Sequence, residues 1–254
     1  MIELICADCL EVLPRLGNVQ MVFADPPFNV RKRYGAGRDN RDDYAEWTKG
    51  WARALWATLL DTGTFCLMTI PRHLPLSFDC LKTGVFVNQI IWRNVAAAQG
   101  NKTWWGSYQP ILVYGKTADY KFNLYAETRK IEKQNLRWGG YTTEPKGRLL
   151  DYWDDIPFVY AGSVRHPEAI LAPGTNTKAH PCQMPTTLAL RLIEFLTDPG
   201  DTVLDPFCGT GTTLVACKMS GRNGIGVDIE PKYVEIARRR IDATTGPIPF
   251  KDKA

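Results

Sequence analysis

The segment from Thr202 to Thr213 constrains the fold more than any other part of the chain. It begins with an apolar run typical of a buried strand, and Gly209 and Gly211 in the next loop let the backbone approach a ligand closely. A helix is predicted directly after the loop, and the following strand ends at Asp228, nineteen residues past Gly209. An acid at that position can accept hydrogen bonds from both hydroxyls of a ribose. The segment therefore predicts a nucleoside site at the carboxyl edge of a doubly wound sheet.

The glycine loop favours one kind of nucleoside cofactor. It lacks the third glycine of G-x-G-x-x-G, and Thr212 and Thr213 follow Gly211 instead. The pyrophosphate of a dinucleotide fits such a loop less well, whereas S-adenosylmethionine carries no phosphate and its amino-acid end can reach the loop amides. We therefore expect S-adenosylmethionine as the cofactor, and a tight strand-to-helix turn without any ligand is the alternative interpretation.

Strands and helices alternate over most of the chain, which is typical of a parallel sheet covered on both faces. The predicted strands cover residues 2–6, 19–24, 64–70, 86–92, 110–114, 202–205 and 224–228. The predicted helices cover residues 43–60, 186–197, 212–220 and 231–241. Between 116 and 177 the pattern degrades into mixed charged, aromatic, glycine and proline residues. We therefore expect half-domains at 1–115 and 178–245, an irregular insertion at 116–177 and a loose tail at 246–254.

A second motif, Asp25-Pro26-Pro27-Phe28, follows the predicted buried strand at 19–24. A bare tetrapeptide of this kind is often only a turn. Its chemistry nevertheless suits an exocyclic amine of a nucleobase, which is a poor nucleophile because its lone pair is delocalised into the ring. The Asp25 carboxylate and the Pro26 carbonyl can each accept one N–H and hold the nitrogen towards a methyl group, while Phe28 stacks on the base.

Basic residues are concentrated in two segments, although the net charge of +4 permits nucleic-acid binding without requiring it. The first segment contains Tyr34 and the second contains Trp138 and Tyr141, and basic residues mixed with aromatic ones suit a phosphate backbone with exposed bases. A solvated charged surface is the alternative for each segment. The candidate DNA contacts are Arg31, Lys32, Arg33, Arg93, Arg137 and Lys146.

The cysteines indicate reduced thiols in a cytoplasmic protein. There are seven, scattered without the spacing of a disulfide framework, and Cys6 and Cys9 form a lone C-x-x-C pair that we interpret as two small buried residues. Cys182 stands in a Pro-Cys-Gln string found around the nucleophile of cytosine-C5 methyltransferases, but it precedes the glycine loop, so we interpret it as coincidental. No metal site is expected. Nor do we expect a signal peptide or a membrane-spanning segment.

The order of the motifs resembles that of a known family, the amino-methyltransferases of bacterial and phage DNA in their beta arrangement. In that family D-P-P-[FY] comes first, a target-recognition region follows and the glycine motif comes last. Four further segments of this chain look like segments of the family: Ala7–Leu13, Ile90–Asn94, Lys178–Pro181 and Glu230–Ala237. The resemblance covers nearly the whole chain.

The resemblance implies a Rossmann-like, circularly permuted, mostly parallel α/β sheet of the seven-stranded type with a small target-recognition lobe. It also implies methylation of double-stranded DNA, at adenine N6 more often than cytosine N4 because D-P-P-[FY] is commoner in the adenine enzymes. Asp8 would contact the adenine amine of the cofactor, or cap a helix. The expected cofactor-binding residues are Asp8, Cys9, Lys178, His180, Asp205, Pro206, Phe207, Gly209, Gly211, Thr212, Thr213 and Asp228.

The resemblance also implies partners, and three other functions are alternatives to it. A cognate restriction endonuclease and a homodimer are both expected possibilities, and the recognition sequence is not predicted. A nicotinamide-dependent oxidoreductase would share the glycine loop but would give no role to Asp25–Phe28. A non-catalytic DNA-binding module would not need the cofactor half, and an RNA or protein-glutamine methyltransferase is the remaining alternative.

Overall fold

The computed structural model describes residues 1–34, 37–94, 106–124, 126, 128–130, 146–157, 168–171 and 179–246. The strands are β1 Ile2–Cys6, β2 Val19–Ala24, β3 Arg33–Tyr34, β4 Gly37–Arg38, β5 Leu59–Met68, β6 Val85–Arg93, β7 Tyr108–Gly115, β8 Thr128–Lys130, β9 Lys146–Arg148, β10 Tyr152–Trp153, β11 Thr202–Asp205 and β12 Asn223–Asp228. The helices are α1 Cys9–Val12, α2 Tyr44–Thr58, α3 Leu74–Leu81, α4 Thr186–Leu196, α5 Thr212–Ser220 and α6 Pro231–Ala243. None of the described helices has the length and apolar character needed to span a membrane.

Eight of the described strands form one sheet in the order β1-β12-β11-β2-β5-β7-β6-β10. Neighbouring strands run parallel except where β7 lies antiparallel between β5 and β6. All six residues of β2 are buried, as expected of a strand in the middle of a doubly covered sheet. The predicted fold class, a mostly parallel α/β sheet, is confirmed.

The core lies on both faces of the sheet because side chains alternate along each strand. Met21 and Phe23 of β2 pack on one face with α4, where Leu188 and Leu192 are buried. Val22 and Ala24 pack on the other face with Trp51 and Leu55 of α2 and with Phe65 and Leu67 of β5. The two layers of helices hold the strands of the sheet in place, so the loops at their carboxyl ends start from fixed positions.

The carboxyl ends of four neighbouring strands meet at one edge. Cys6 pairs with Asp228, Asp205 pairs with Gly226, and Leu204 pairs with Val22. The loops after β1, β2, β11 and β12 therefore all leave the sheet on the same side. This register brings together the acids at positions 8, 25, 205 and 228, which are far apart in the sequence.

Two boundary predictions around β5 were wrong. The turn predicted at 61–63 lies inside β5, and the helix predicted to residue 60 ends at Thr58. Leu59 pairs with Val19, and a register shift between Val19 and Met21 absorbs the turn-forming residues within the strand. Gly63 permits this irregularity, since a Cβ there would lie 2.8 Å from the Leu60 carbonyl oxygen.

The helix α1 is the one that Asp8 was expected to cap, whereas α3, which follows the turn Pro71–His73, was not predicted; both helices are short. Within the region expected to be irregular, residues 116–124 contact the body of the domain, because Lys121 forms ion pairs with Asp198 and Asp201. The short strand β10 extends the main sheet beside β6, pairing Tyr152 with Ile91. The predicted tail from 247 onwards lies outside the described residues.

Candidate active site

A cavity of about 420 Å³ opens at the carboxyl edge of the sheet, a size typical of small-molecule and cofactor sites. Its walls come from the loops after β1, β2, β11 and β12, from the start of α2 and from the segment before α4. Of the residues predicted from the sequence, the lining includes Asp8, Cys9, Asp25, Pro26, Pro27, Phe28, His180, Asp205, Pro206, Phe207, Gly209, Thr212, Thr213 and Asp228. The structure thus brings the predicted catalytic motif and the predicted cofactor loop into one cavity.

The two glycines of the loop after β11 differ in what they do. Both have left-handed backbone angles, with φ of +49° at Gly209 and +80° at Gly211, so each favours glycine. Gly209 lines the cavity and donates its N–H to Asp228 Oδ2 at 2.8 Å. Gly211, which the sequence analysis placed among the cofactor contacts, is not part of the lining. A Cβ there would lie 2.8 Å from Ala237 Cβ, so Gly211 lets α5 pack against α6.

Asp228 ends β12 with its carboxylate at the cavity. Its two oxygens accept backbone N–H groups from Gly209 and Glu230, each at 2.8 Å. Burial raises the pKa of this carboxyl, while both hydrogen bonds favour the charged form. Each carboxylate oxygen keeps further acceptor capacity, so the group can accept two more donors from a ligand.

The wall opposite the glycine loop is formed at the start of α1. Asp8 caps this helix by accepting the Leu10 N–H at 2.9 Å, and it also lines the cavity, so both predicted roles of Asp8 are open to it at once. Cys9 is buried, and burial raises the pKa of its thiol to about 12, so the thiol is neutral. Cys6, which the sequence analysis also interpreted as buried, is exposed. Phe207 is held between Trp47 and Trp51, with ring centroids at 5.7 Å and 5.3 Å.

Two carboxyl groups in the lining of the cavity, those of Asp25 and Asp205, have raised pKa values. Asp25 follows β2 directly, and burial, together with the nearby Asp205 carboxylate, raises its pKa to about 7, while Lys32 acts in the opposite direction. Burial likewise raises the pKa of Asp205 to about 7, although the Phe207 N–H at 3.0 Å favours its charged form. Asp25 is not sealed off, because its side chain lines the cavity.

Phe28 and the loop behind it are held by an extensive set of hydrogen bonds. Phe28 is 8% exposed and lines the cavity. Beyond it, Asn29 and Arg31 have positive φ angles of 54° and 60°, which are uncommon for residues other than glycine. The buried Asp39 carboxylate accepts N–H groups from Val30, at 3.2 Å, and from Lys32. The loop therefore folds back on itself into a defined wall.

Comparisons with known proteins agree with this geometry. A family model described as DNA methylase, covering the N6 and N4 amino-methyltransferases, matches residues 19–239.

The chain belongs to this DNA methylase family.

Among its relatives, the type II methyltransferase M.HpaI of Haemophilus parainfluenzae is 26% identical over 95% of this chain and 74% of its own length. The DNA adenine methyltransferase YhdJ of Escherichia coli is 28% identical over 90% of this chain and 78% of its own length.

Three solved structures share the fold of this methyltransferase. The TTHA0409 protein of Thermus thermophilus, solved with S-adenosyl-L-methionine, has a TM-score of 0.63 at 22% identity over 95% of this chain and 93% of that chain. The cytosine-N4-specific PvuII DNA methyltransferase has a TM-score of 0.69 at 18% identity over 94% of this chain and 86% of that chain. The M1.HpyAVI protein has likewise been solved as a complex with S-adenosylmethionine, and it has a TM-score of 0.60 at 22% identity.

The residues of the methyltransferase cavity fit that cofactor. The Asp228 carboxylate can accept further hydrogen bonds. The glycine loop contains no lysine or arginine to bind a phosphate. Ile229, 68% exposed, provides an apolar surface beside Asp228. Among the described residues, no three His, Cys, Asp or Glu side chains are grouped so as to hold a metal ion.

The segment before α4 contributes His180, which the sequence predicted at the cofactor site, and Cys182, which it did not. His180 Nδ1 lies 2.9 Å from the Cys182 carbonyl oxygen and 3.3 Å from the Cys182 N, and burial lowers the pKa of the ring to about 4, so the imidazole is neutral. The Tyr34 hydroxyl lies 3.2 Å from Cys182 Sγ. Cys182, interpreted from the sequence as coincidental, thus lines the cavity as a partner of Tyr34.

The candidate DNA contacts are only partly brought together. Arg31 and Arg33 are exposed in the loop that follows Phe28, and Lys32 beside them is partly exposed. Arg93 is exposed at the end of β6. For Lys146 the structure gives only a backbone place in β9. The other two predicted contacts, Arg137 with DNA and Lys178 with the cofactor, lie outside the described residues, as do Trp138 and Tyr141.

Proposed function

We propose that this DNA methyltransferase transfers the methyl group of S-adenosylmethionine to the N6 amine of adenine in double-stranded DNA. The observation that carries the proposal is the shared cavity: Asp25–Phe28 and the pair Gly209 and Asp228 line the same space. An enzyme that transfers a group from a nucleoside cofactor to a flipped base must hold the two molecules side by side, and a shared cavity allows this.

The proposed chemistry rests on two fixed acceptors. The Asp25 carboxylate and the Pro26 carbonyl each accept one N–H of the target amine, which holds the nitrogen in the geometry of attack without a covalent intermediate. S-adenosylmethionine supplies a methyl group attached to a positively charged sulfur. After transfer the amine carries one proton too many, and Asp25, with a pKa raised to about 7, is placed to accept it.

The base reaches this cavity by leaving the duplex, and Phe28 stacks on it there. Arg31, Lys32 and Arg33, just beyond Phe28 in the chain, would neutralise phosphates beside the flipped nucleotide, and Arg93, Arg137 and Lys146 would extend that contact. On the cofactor side, Asp228 would accept the ribose hydroxyls and Asp8 the adenine amine. His180 would support the glycine loop as a neutral ring.

Methylation of cytosine N4 is the second candidate. The cytosine-N4-specific PvuII enzyme shares the fold, so the same acceptors could hold either amine. Asp rather than Ser at position 25 favours adenine, in line with the adenine methyltransferase named among the relatives. Because several relatives are type II methyltransferases, we also infer a cytoplasmic modification enzyme with a cognate restriction endonuclease.

Tritiated methyl transfer to unmethylated genomic DNA, followed by mass spectrometry of the nucleosides, tests the proposal. N6-methyladenine is the expected product, in excess chelator as well as without it. N4-methylcytosine would retain the mechanism but replace the target base. Recovery of 5-methylcytosine would overturn the mechanism, because that chemistry requires a cysteine nucleophile and would point to Cys182.

A further inference from the structure

The turn Pro71–His73 lies beside the catalytic motif because of the sheet order. It follows β5, which pairs with β2 in parallel so that Leu67 stands opposite Ala24. The chain leaving β5 and the chain leaving β2 therefore emerge side by side. One leads into Asp25–Phe28 and the other into Pro71–His73.

Three hydrogen bonds connect the two loops. Arg72 Nη2 donates to the carbonyl oxygen of Asn29 at 2.7 Å and to that of Phe28 at 3.3 Å. His73 Nε2 lies 2.8 Å from the same Phe28 carbonyl oxygen. Both lone pairs of the Phe28 carbonyl therefore have donors, and both donors come from the turn after β5.

The hydrogen-bond geometry also determines where His73 carries its proton. The carbonyl oxygen of Phe28 can only accept, so Nε2 must donate and the proton is on Nε2. Arg72 Nε also points at this nitrogen, at 3.3 Å, a contact that would suit the other tautomer. We assign the proton to Nε2 because the contact with the Phe28 carbonyl oxygen is shorter, at 2.8 Å. The ring of His73 packs against Tyr44, with centroids 4.9 Å apart, which keeps Nε2 directed at Phe28.

The segment that receives these bonds needs support. Asn29 has a φ of +54°, a left-handed conformation that is uncommon for residues other than glycine, although asparagine adopts it more readily than most. The Asn29 side chain is itself occupied, accepting the Arg41 N–H at 2.7 Å and donating to the Arg41 carbonyl at 3.0 Å. The bonds from Arg72 and His73 to the Phe28 and Asn29 carbonyls hold the chain in this conformation directly after Phe28.

We propose that Arg72 and His73 are positioning residues that fix Phe28 and its loop for the flipped base. The inference rests on the proposed function, since Phe28 is the residue assigned to the base. Neither side chain touches the reacting atoms; each acts through a backbone carbonyl. Displacement of a substrate-holding group by about 1 Å can cost 100-fold in rate, so loss of both donors should affect the chemical step.

The test compares Arg72→Ala/His73→Leu with the wild type and with Arg53→Ala, an exposed arginine on α2 as the matched control. We expect kcat on unmethylated DNA to fall at least about tenfold, while calorimetry gives an unchanged Kd for S-adenosylmethionine. Two single variants are also compared: His73→Leu removes the donor, and His73→Gln keeps one. His73→Gln should therefore retain most of the activity that His73→Leu loses. Hydrogen exchange of the Val30, Arg31 and Lys32 amides should accelerate in the double variant without any cofactor or DNA.

Three results would overturn the proposal. Unchanged exchange would show that the loop does not depend on the two donors. Faster exchange with unchanged kcat would show a purely structural role. A change confined to DNA affinity, with the salt dependence reduced by about one phosphate contact, would make Arg72 a DNA contact instead. Because exchange is measured without the reaction, a wild type that does not methylate DNA would count against the proposed function alone.

Discussion

Replacement of Asp25 by Asn should make the protein more stable and less active at the same time. Burial and the Asp205 carboxylate raise the Asp25 pKa from 3.8 to about 7. Between these two values the folded protein holds a proton that the unfolded chain has lost, so the stability of the wild type falls as pH rises through this interval. An amide at position 25 avoids that loss.

The size of the gain follows from the pKa. One pKa unit corresponds to about 1.4 kcal/mol, so the upper bound is about 4 kcal/mol. Asp25 lines a cavity that opens at the edge of the sheet, and screening there reduces the effect of the charge, so we expect Asp25→Asn to raise the free energy of unfolding at pH 8 by about 1–2 kcal/mol. At pH 5 the gain should shrink to less than half. The loss of the charged acceptor should lower kcat by at least about 100-fold.

Urea unfolding at pH 5 and pH 8 measures the first effect and methyl transfer to DNA measures the second. Asp119→Asn, an exposed carboxylate near β7, is the matched control and should change neither quantity. A gain in stability that is the same at both pH values would refute the electrostatic reasoning. Retention of wild-type kcat would remove Asp25 from the chemistry.

Three further predictions concern the rest of the cavity. Asp228→Ala should weaken S-adenosylmethionine binding by about 1–3 kcal/mol in calorimetry, because polar partners lose their acceptor; an unchanged Kd would place the ribose elsewhere. Gly211→Ala should lower the free energy of unfolding by about 2–4 kcal/mol, because the position has a positive φ and the new Cβ would contact Ala237. Gly209→Ala should lower it less, because a Cβ there would come no closer than 3.4 Å to His180. Equal losses in the two variants would contradict this packing. Phe28→Trp should keep much of the activity, whereas Phe28→Ala should lose about 1–3 kcal/mol of base binding. Steady-state kinetics on DNA measures both variants, and equal activity in the two would show that Phe28 does not stack on the base.

The sheet was predictable where strands are buried on both faces. Val19–Ala24 and Thr202–Asp205 have the bounds that their apolar runs indicated, and each is followed by the motif that the sequence singled out. Hydrophobicity decides such strands almost alone. The turn expected at 61–63 failed because pairing with β2 outweighs the local preference of Asp, Thr and Gly, an effect that only tertiary structure reveals.

The grouping of the two motifs at one edge of the sheet was predictable from the sequence, but the contacts that support them were not. Asp25, Asp228 and Gly209 follow from motif chemistry, since each ends or follows a strand. The proposed roles of Arg72 and His73 do not follow from the sequence. They depend on the pairing of β5 with β2, and they act on a backbone carbonyl, which every residue has and no motif reveals. Gly211 shows the converse: the motif suggested a cofactor contact, whereas the space it leaves is filled by Ala237 of α6.

The strand order has a consequence for synthesis on the ribosome. β1 precedes the other described strands along the chain and pairs with β12, Ile2 lying opposite Gly224, and β2 pairs with β11. β1 therefore has no strand partner, and β2 has only β5, until the chain has been made to beyond residue 200. Native contacts of such long sequence separation slow folding and expose aggregation-prone edges. Nascent chains of this protein should depend on holding chaperones, and premature termination should yield an insoluble fragment instead of a partly active enzyme.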